Sequence, residues 1–118
     1  MLFRSNILQL QQSAETILKN PKVWEKVQNS FYNNWQFLLY ESLVRACSIK
    51  YLAENNEIET TLDKEIAAQE KAGFFWMRGL LQQLDVYENK RNMYKNLDAF
   101  MPEIKKYFEK VAAEMKSD

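Results

Sequence analysis

The scarcity of turn-forming residues is the feature that most restricts what this sequence can fold into. Its 118 residues include only two glycines and two prolines, and no Asn-Gly, Asp-Gly or Gly-Gly pair is present to close a β-hairpin. No segment alternates apolar and polar residues for long enough to predict a strand. The sequence therefore predicts an all-α fold of five or six helices, packed as an orthogonal or irregular bundle.

Capping residues and breakers predict where the helices begin and end. Asn20 and Pro21 begin the second helix, because asparagine caps a helix and proline fits its first position. Asn33 is expected to cap the third helix, Gly73 to end the fourth, and Asn96 to cap the last. Apolar residues that recur every three or four positions then predict helices over residues 6–19, 21–30, 33–52, 56–72, 77–90 and 97–115.

The third predicted helix is apolar on nearly every side and carries one carboxylate, Glu41, near its middle. Placing residues at 100° intervals puts Phe37, Val44 and Ser48 beside Glu41, and the pattern predicts a helix that is buried all round. Burial disfavours the charged form of a carboxylate, so Glu41 is expected to have a partner. One candidate is Arg45, one turn further on, in an ion pair within the helix. The other is a metal ion or a substrate brought by another part of the protein.

Composition argues against several classes of function. Sixteen basic and sixteen acidic residues give no net charge, and the arginines are scattered, so nucleic acid is not predicted as a partner. The chain has no histidine, which is the commonest general base and zinc ligand. Its one cysteine, Cys47, is predicted to be a buried structural thiol. No apolar run is long enough to predict a membrane span.

Three further clusters are interpreted as structural, and no catalytic residue is assigned. Acidic residues between positions 57 and 70 are expected to form the solvated face of the fourth helix. The aromatic residues 74–76 are expected to pack between helices, with a ligand platform as the alternative. Arg91 is expected to pair with Tyr87 or Glu88 at a helix end. No serine, cysteine or lysine has a histidine beside it that would activate it.

Five short motifs, in this order along the chain, resemble a known family over residues 20–111. They are FYNNW at 31–35, ESLVRA at 41–46, GFF at 73–75, YENKRNMY at 87–94 and FMP at 100–102. That family consists mostly of Bacteroidetes proteins, is catalogued as a domain of unknown function, and is built like the gluzincin zinc metallopeptidases. The sequence resembles the C-terminal half of such a protein.

In gluzincins an HExxH helix supplies two histidine ligands and the general-base glutamate, and a glutamate on a later helix supplies the third ligand. The resemblance implies that Glu41 is this third zinc ligand and that Arg45 orients its carboxylate. The HExxH half is not in this sequence, so neither a zinc site nor catalysis is expected of the fragment alone. For the parent protein the resemblance implies zinc as the cofactor, a peptide or protein substrate, and an extracytoplasmic location, either secreted or periplasmic.

The first residues of the sequence are expected to be a non-native start. Residues 2–5 match the in-frame translation of the end of a common short-read sequencing adapter, so residues 1–5 are set apart from a single helical domain over 6–118. This domain is interpreted as a fragment of a larger protein, which could self-associate through the apolar surface that truncation exposes. The alternative is a non-catalytic helical interaction or structural module, in which Glu41 and Arg45 form a buried ion pair.

Overall fold

The computed structural model describes residues 8–30, 33–54 and 59–116 of the chain. Within these ranges the chain forms six α-helices and no strand, which confirms the predicted all-α class. The α-carbon radius of gyration is 14.1 Å, close to the roughly 13.5 Å expected of a compact domain of this length. The helices are α1 (Gln11–Lys19), α2 (Pro21–Val27), α3 (Trp35–Glu54), α4 (Glu59–Lys71), α5 (Met77–Asn89) and α6 (Leu97–Lys116).

Asn20 begins α2 as predicted and also joins the two ends of the described chain. Its Oδ1 accepts hydrogen bonds from the backbone N–H groups of Lys22 at 2.9 Å and Val23 at 3.4 Å, with Pro21 in the first helical position. Its Nδ2 donates to the carbonyl oxygen of Met115 at 3.3 Å. The cap therefore also holds the start of α2 against the end of α6.

The cap of α3 is Asn34, and the predicted cap, Asn33, is wrong by one residue. Asn34 Oδ1 accepts the N–H groups of Gln36 at 3.0 Å and Phe37 at 3.1 Å. Asn33 instead donates from Nδ2 to the carbonyl oxygen of Gln28 at 3.0 Å, and so closes the turn that follows α2. The two asparagines have the same capping chemistry, so the residue type alone does not show which of them caps the helix.

Gly73 ends α4 as predicted, in a Schellman motif. The Phe74 N–H donates to the Gln69 carbonyl at 2.9 Å, and the Gly73 N–H donates to the Glu70 carbonyl at 3.1 Å. Gly73 has a φ of +113°, and a β-carbon there would lie 2.8 Å from Cβ of Lys26. Only glycine fits here without strain, because the turn has a positive φ and lies directly against α2.

The core lies between α3 and the helices at the two ends of the described chain. Helix α1 packs against α3 and α6, while α3 also contacts α4 and α5, and α5 contacts α6. The largest fully buried side chains include Phe74, Phe100 and Phe108. In the described part of the chain, no helix combines the length and the apolar character needed to cross a bilayer.

Helix α3 is buried on one side only, which corrects the prediction that it is buried all round. Leu38, Leu39, Ser42, Leu43, Ala46 and Ile49 are buried on that side. On the opposite side Phe37 is 51% exposed, Val44 59% and Tyr51 65%. Cys47 and Ser48 are exposed there as well, so Cys47 as a residue is not buried in the core as predicted. These five residues form the open face of α3. Apolar residues show which sides of a helix can be buried, whereas the number of neighbouring helices decides which sides are.

Candidate functional site

Glu41 lies on α3 between the buried side and the open face. Its side chain is 30% exposed and that of Arg45 is 28% exposed, so the predicted full burial of Glu41 is wrong. Glu41 Oε2 accepts a hydrogen bond from Arg45 Nε at 3.0 Å. The structure thus brings together the two residues that the sequence singled out, in the i,i+4 arrangement expected of a pair within one helix.

Arg45 also contacts two residues that lie outside α3. Its Nη1 donates to Gln69 Oε1 on α4 at 2.6 Å. Its guanidinium carbon lies 4.6 Å from the ring centre of Phe74, a distance typical of a cation–π contact. Phe74 is fully buried, and its ring packs edge-on against Trp76 with 5.8 Å between the ring centres. Arg45 therefore joins α3, α4 and the turn between α4 and α5.

One carboxylate oxygen of Glu41 remains available for a ligand. Arg45 occupies Oε2, and no residue in the described ranges binds Oε1. A carboxylate oxygen in this setting can accept a hydrogen bond or act as one ligand of a cation. The described residues contain no group of three histidine, cysteine, aspartate or glutamate residues placed to hold a metal ion. Glu41 could therefore serve a metal as one ligand, and the described residues do not supply a complete site with it.

An apolar groove runs along the open face of α3. It has a volume of about 630 Å³ and is lined by α3 side chains, among them Val44, Cys47 and Tyr51, and by Leu97 at the start of α6. None of the residues that line it is charged. The groove therefore suits an apolar partner.

Cys47 lies where this groove meets a smaller one that also contains Lys50 and Glu88. Burial of the thiol raises its pKa, the charge of Glu88 raises it further, and the charge of Lys50 lowers it in part. The thiol group is thus partly desolvated although the residue as a whole is exposed. A raised pKa keeps the thiol protonated at neutral pH, so Cys47 is poorly suited to act as a nucleophile.

The aromatic residues 74–76 are mainly part of the core, as the packing interpretation predicts. Phe74 and Trp76 are buried, and only Phe75, at 38% exposure, reaches the surface. Trp76 Nε1 donates to Ser42 Oγ at 2.9 Å, and the Tyr107 hydroxyl donates to the Trp76 carbonyl at 2.7 Å. These polar groups are satisfied inside the protein, so Phe74 and Trp76 belong to the core, and only Phe75 could contact a ligand.

The other predicted clusters are surface pairs. Arg91 lies over the Tyr87 ring at 4.8 Å and 4.0 Å from Glu88, so it contacts both predicted partners. In the acidic segment, Asp63 is exposed and lies 3.6 Å from Arg78, while positions 57 and 58 lie outside the described residues. Sequence reasoning missed Gln69, because an uncharged residue 24 positions from Arg45 leaves no local pattern.

Comparison with known proteins identifies a family for this chain. No curated protein and no solved structure matches the sequence. A family model described as a domain of unknown function, DUF4932, matches residues 3–107. That match supports the predicted resemblance to a domain of unknown function. It does not indicate a resemblance to metallopeptidases or an origin in Bacteroidetes. Because the match covers most of the sequence, the chain belongs to the DUF4932 family of unknown function.

Proposed function

We propose that this chain is the helical part of a zinc-dependent metallopeptidase-like protein, in which Glu41 supplies the third zinc ligand and Arg45 orients its carboxylate. The position of Glu41 is the observation that supports this proposal. Its carboxylate lies beside an exposed apolar face of a long helix, with Oε2 paired to Arg45. Oε1 has no partner in the part of the chain that the structure describes.

The contribution of this chain is a single, well-positioned ligand. Helix α3 is held by Leu38, Leu39 and Leu43, which are at most 6% exposed, so the backbone at Glu41 is fixed by core packing. Arg45 holds one carboxylate oxygen and leaves the other for the metal. A bound zinc ion would supply a water of lowered pKa and would polarise the carbonyl group of a peptide or protein substrate.

The open face of α3 suits the segment that would bring the remaining ligands. Phe37, Val44 and Tyr51 are each more than half exposed and are spaced seven residues apart. Such spacing is typical of the surface that one helix presents to another. In this proposal the covering segment is the half that carries HExxH, and its two histidines would complete the zinc site beside Glu41.

The reading frame upstream of this sequence provides the first test. We expect the source DNA to encode a longer protein with an HExxH motif before Asn6. A complete upstream reading frame without that motif would exclude the proposal, because the chain itself has no histidine.

The zinc affinity of the longer protein provides the second test. Loss of a residue that only supports a metal ligand typically weakens binding by about 10- to 100-fold. Glu41→Gln is expected to weaken zinc binding by more than this, because it removes a ligand itself. Glu103→Gln is the matched control, because Glu103 also pairs with a cation on its own helix, Lys106 at 3.3 Å. Competition with a zinc chelator measures both affinities, and equal affinities for wild type and Glu41→Gln would contradict the proposal.

A second candidate function is a non-catalytic helical interaction or structural module, and the observed Glu41–Arg45 contact favours it. In such a module the pair serves to link α3 with Gln69 of α4 and needs no metal. Replacing both charged residues with methionine should then leave the free energy of unfolding unchanged or raised, whereas Arg45→Met alone should lower it. Breaking a fully buried pair typically lowers the free energy of unfolding by about 3–5 kcal/mol. The decrease should be smaller here, because each side chain is nearly one-third exposed. Zinc binding by the longer protein that depends on Glu41 would exclude this alternative.

A further inference from the structure

We infer that Gln69 and Phe74 are positioning residues that hold the guanidinium of Arg45, and that they thereby direct Glu41 Oε1 towards its ligand. The identity of that ligand, zinc, rests on the proposed function. The contacts that hold Arg45 are present in the structure whatever that ligand is.

Contacts in three directions distinguish Arg45 from an ordinary surface arginine. An exposed i,i+4 ion pair alone contributes too little to keep two long side chains in one arrangement. Arg45 has in addition the Gln69 amide oxygen at 2.6 Å and the Phe74 ring at 4.6 Å. A guanidinium that donates two side-chain hydrogen bonds and also lies over a ring has few alternative positions.

The two holding residues are themselves fixed by the turn that ends α4. The Gln69 carbonyl accepts the Phe74 N–H at 2.9 Å, so Gln69 and Phe74 lie at opposite ends of one Schellman motif. Gly73 allows that motif through its φ of +113°. A single rigid turn therefore presents both the hydrogen-bond acceptor and the ring to Arg45.

The chemistry of Gln69 also suits this role. Its amide oxygen accepts a hydrogen bond from Arg45 without adding a second negative charge. The positive charge of Arg45 thus stays available to the Glu41 carboxylate. A glutamate at position 69 would hold Arg45 equally well but would compete for that charge.

The order of the Arg45 side chain tests the inference in this 118-residue chain. Gln69→Ala removes the acceptor of the Arg45 Nη1–H, so hydrogen exchange of the Arg45 Nη1 protons, followed by NMR, should be roughly tenfold faster, the factor expected when about one hydrogen bond to the group is lost. Gln69→Glu keeps a hydrogen-bond acceptor for Arg45 and should show the slow rate of the wild type. Gln82→Ala, which changes an exposed glutamine on α5, is the control and should leave the rate unchanged. An unchanged rate in Gln69→Ala would overturn the inference.

A second variant tests the ring contact without emptying the core. Phe74→Leu removes the aromatic face while it keeps most of the buried volume, so the protein should still fold. The exchange rate of the Arg45 Nη1 protons should rise in this variant too. A rate equal to that of the wild type would overturn the role of Phe74.

Zinc affinity of the longer protein connects these contacts to Glu41. Gln69→Ala should weaken zinc binding by about 10- to 100-fold, and Gln82→Ala should not. If Glu41→Gln weakens zinc binding while Gln69→Ala does not, the positioning role is overturned and the proposed function stands. If Glu41→Gln has no effect on zinc binding, the proposed function fails, and the positioning role towards a ligand fails with it, whatever the Arg45 exchange rate.

Discussion

The two sides of α3 carry similar residues but have different roles. On the buried side, Ser42 is fully enclosed, and its Oγ accepts a hydrogen bond from Trp76 Nε1 at 2.9 Å and donates to the Leu38 carbonyl at 2.8 Å. On the open face, Ser48 is exposed one turn from Val44, which is more than half exposed. The comparison shows that one helix can anchor the core with one side and present apolar surface with the other, although the residue types hardly differ.

The buried side leads into an aromatic cluster. The ring of Trp76 packs edge-on against Phe74 at 5.8 Å and against Phe108 at 6.5 Å. The Tyr107 hydroxyl reaches the Trp76 carbonyl at 2.7 Å because Gly79 has no side chain there, and a β-carbon at that position would overlap the hydroxyl. Stability is therefore expected to come from the buried side, and binding from the open face.

Removal of one phenylalanine ring from each region should give the largest difference. Phe74→Ala should lower the free energy of unfolding by about 3–5 kcal/mol, because it leaves a cavity in a fully buried site. Phe37→Ala should change it by no more than about 0.5 kcal/mol, because half of that side chain is already in water. Urea denaturation of the two variants measures both values, and similar losses would show that the open face is covered in solution.

The two serines provide a smaller version of the same comparison. Ser42→Ala should cost about 1–3 kcal/mol, because the buried N–H group of Trp76 loses its acceptor. Ser48→Ala should cost no more than about 0.5 kcal/mol. Thermal unfolding is the measurement. An equal effect of the two substitutions would mean that the hydrogen bond between Ser42 and Trp76 contributes nothing to stability.

Tyr107 makes the stability of the buried side depend on pH. Burial, followed by the charge of Glu114, raises the pKa of Tyr107 to about 12, above its ordinary value of about 10. The native state therefore keeps a proton that the unfolded chain has lost between these two pH values. Its contribution to stability should be complete below about pH 10 and should fall as the pH rises to about 12. Tyr107→Phe should remove this part of the alkaline loss, and an unchanged pH profile would contradict the assignment.

Cys47 should show the smallest effect, limited to its reactivity. Since burial and Glu88 raise the pKa of the thiol, its modification by a disulfide reagent at pH 8 should be slower than that of an unstructured peptide thiol. Glu88→Gln should increase the rate severalfold without changing the unfolding temperature, and Lys50→Met should decrease it. A rate equal to that of the free peptide would show that the groove leaves the thiol fully solvated.

Local chemistry explains which features could be predicted. Asn20 with Pro21 and the glycine at 73 mark helix ends through their own backbone preferences, so the sequence alone locates them. The contact between Glu41 and Arg45 follows from a spacing of four residues on one helix. Gln69 has no such local signal, because it reaches Arg45 only after the turn at Gly73 brings α4 alongside α3.

The sequence by itself determined the helical class, most helix ends and the pairing of Glu41 with Arg45, since these depend on residues within one or two turns of each other. The tertiary structure decided which side of α3 is covered, that Cys47 is exposed, and that Gln69 and Phe74 contact Arg45. Those outcomes depend on how many helices can pack around α3, and only one side of it has neighbours in the described structure. The apolar residues on the other side leave Glu41 at the edge of an exposed surface.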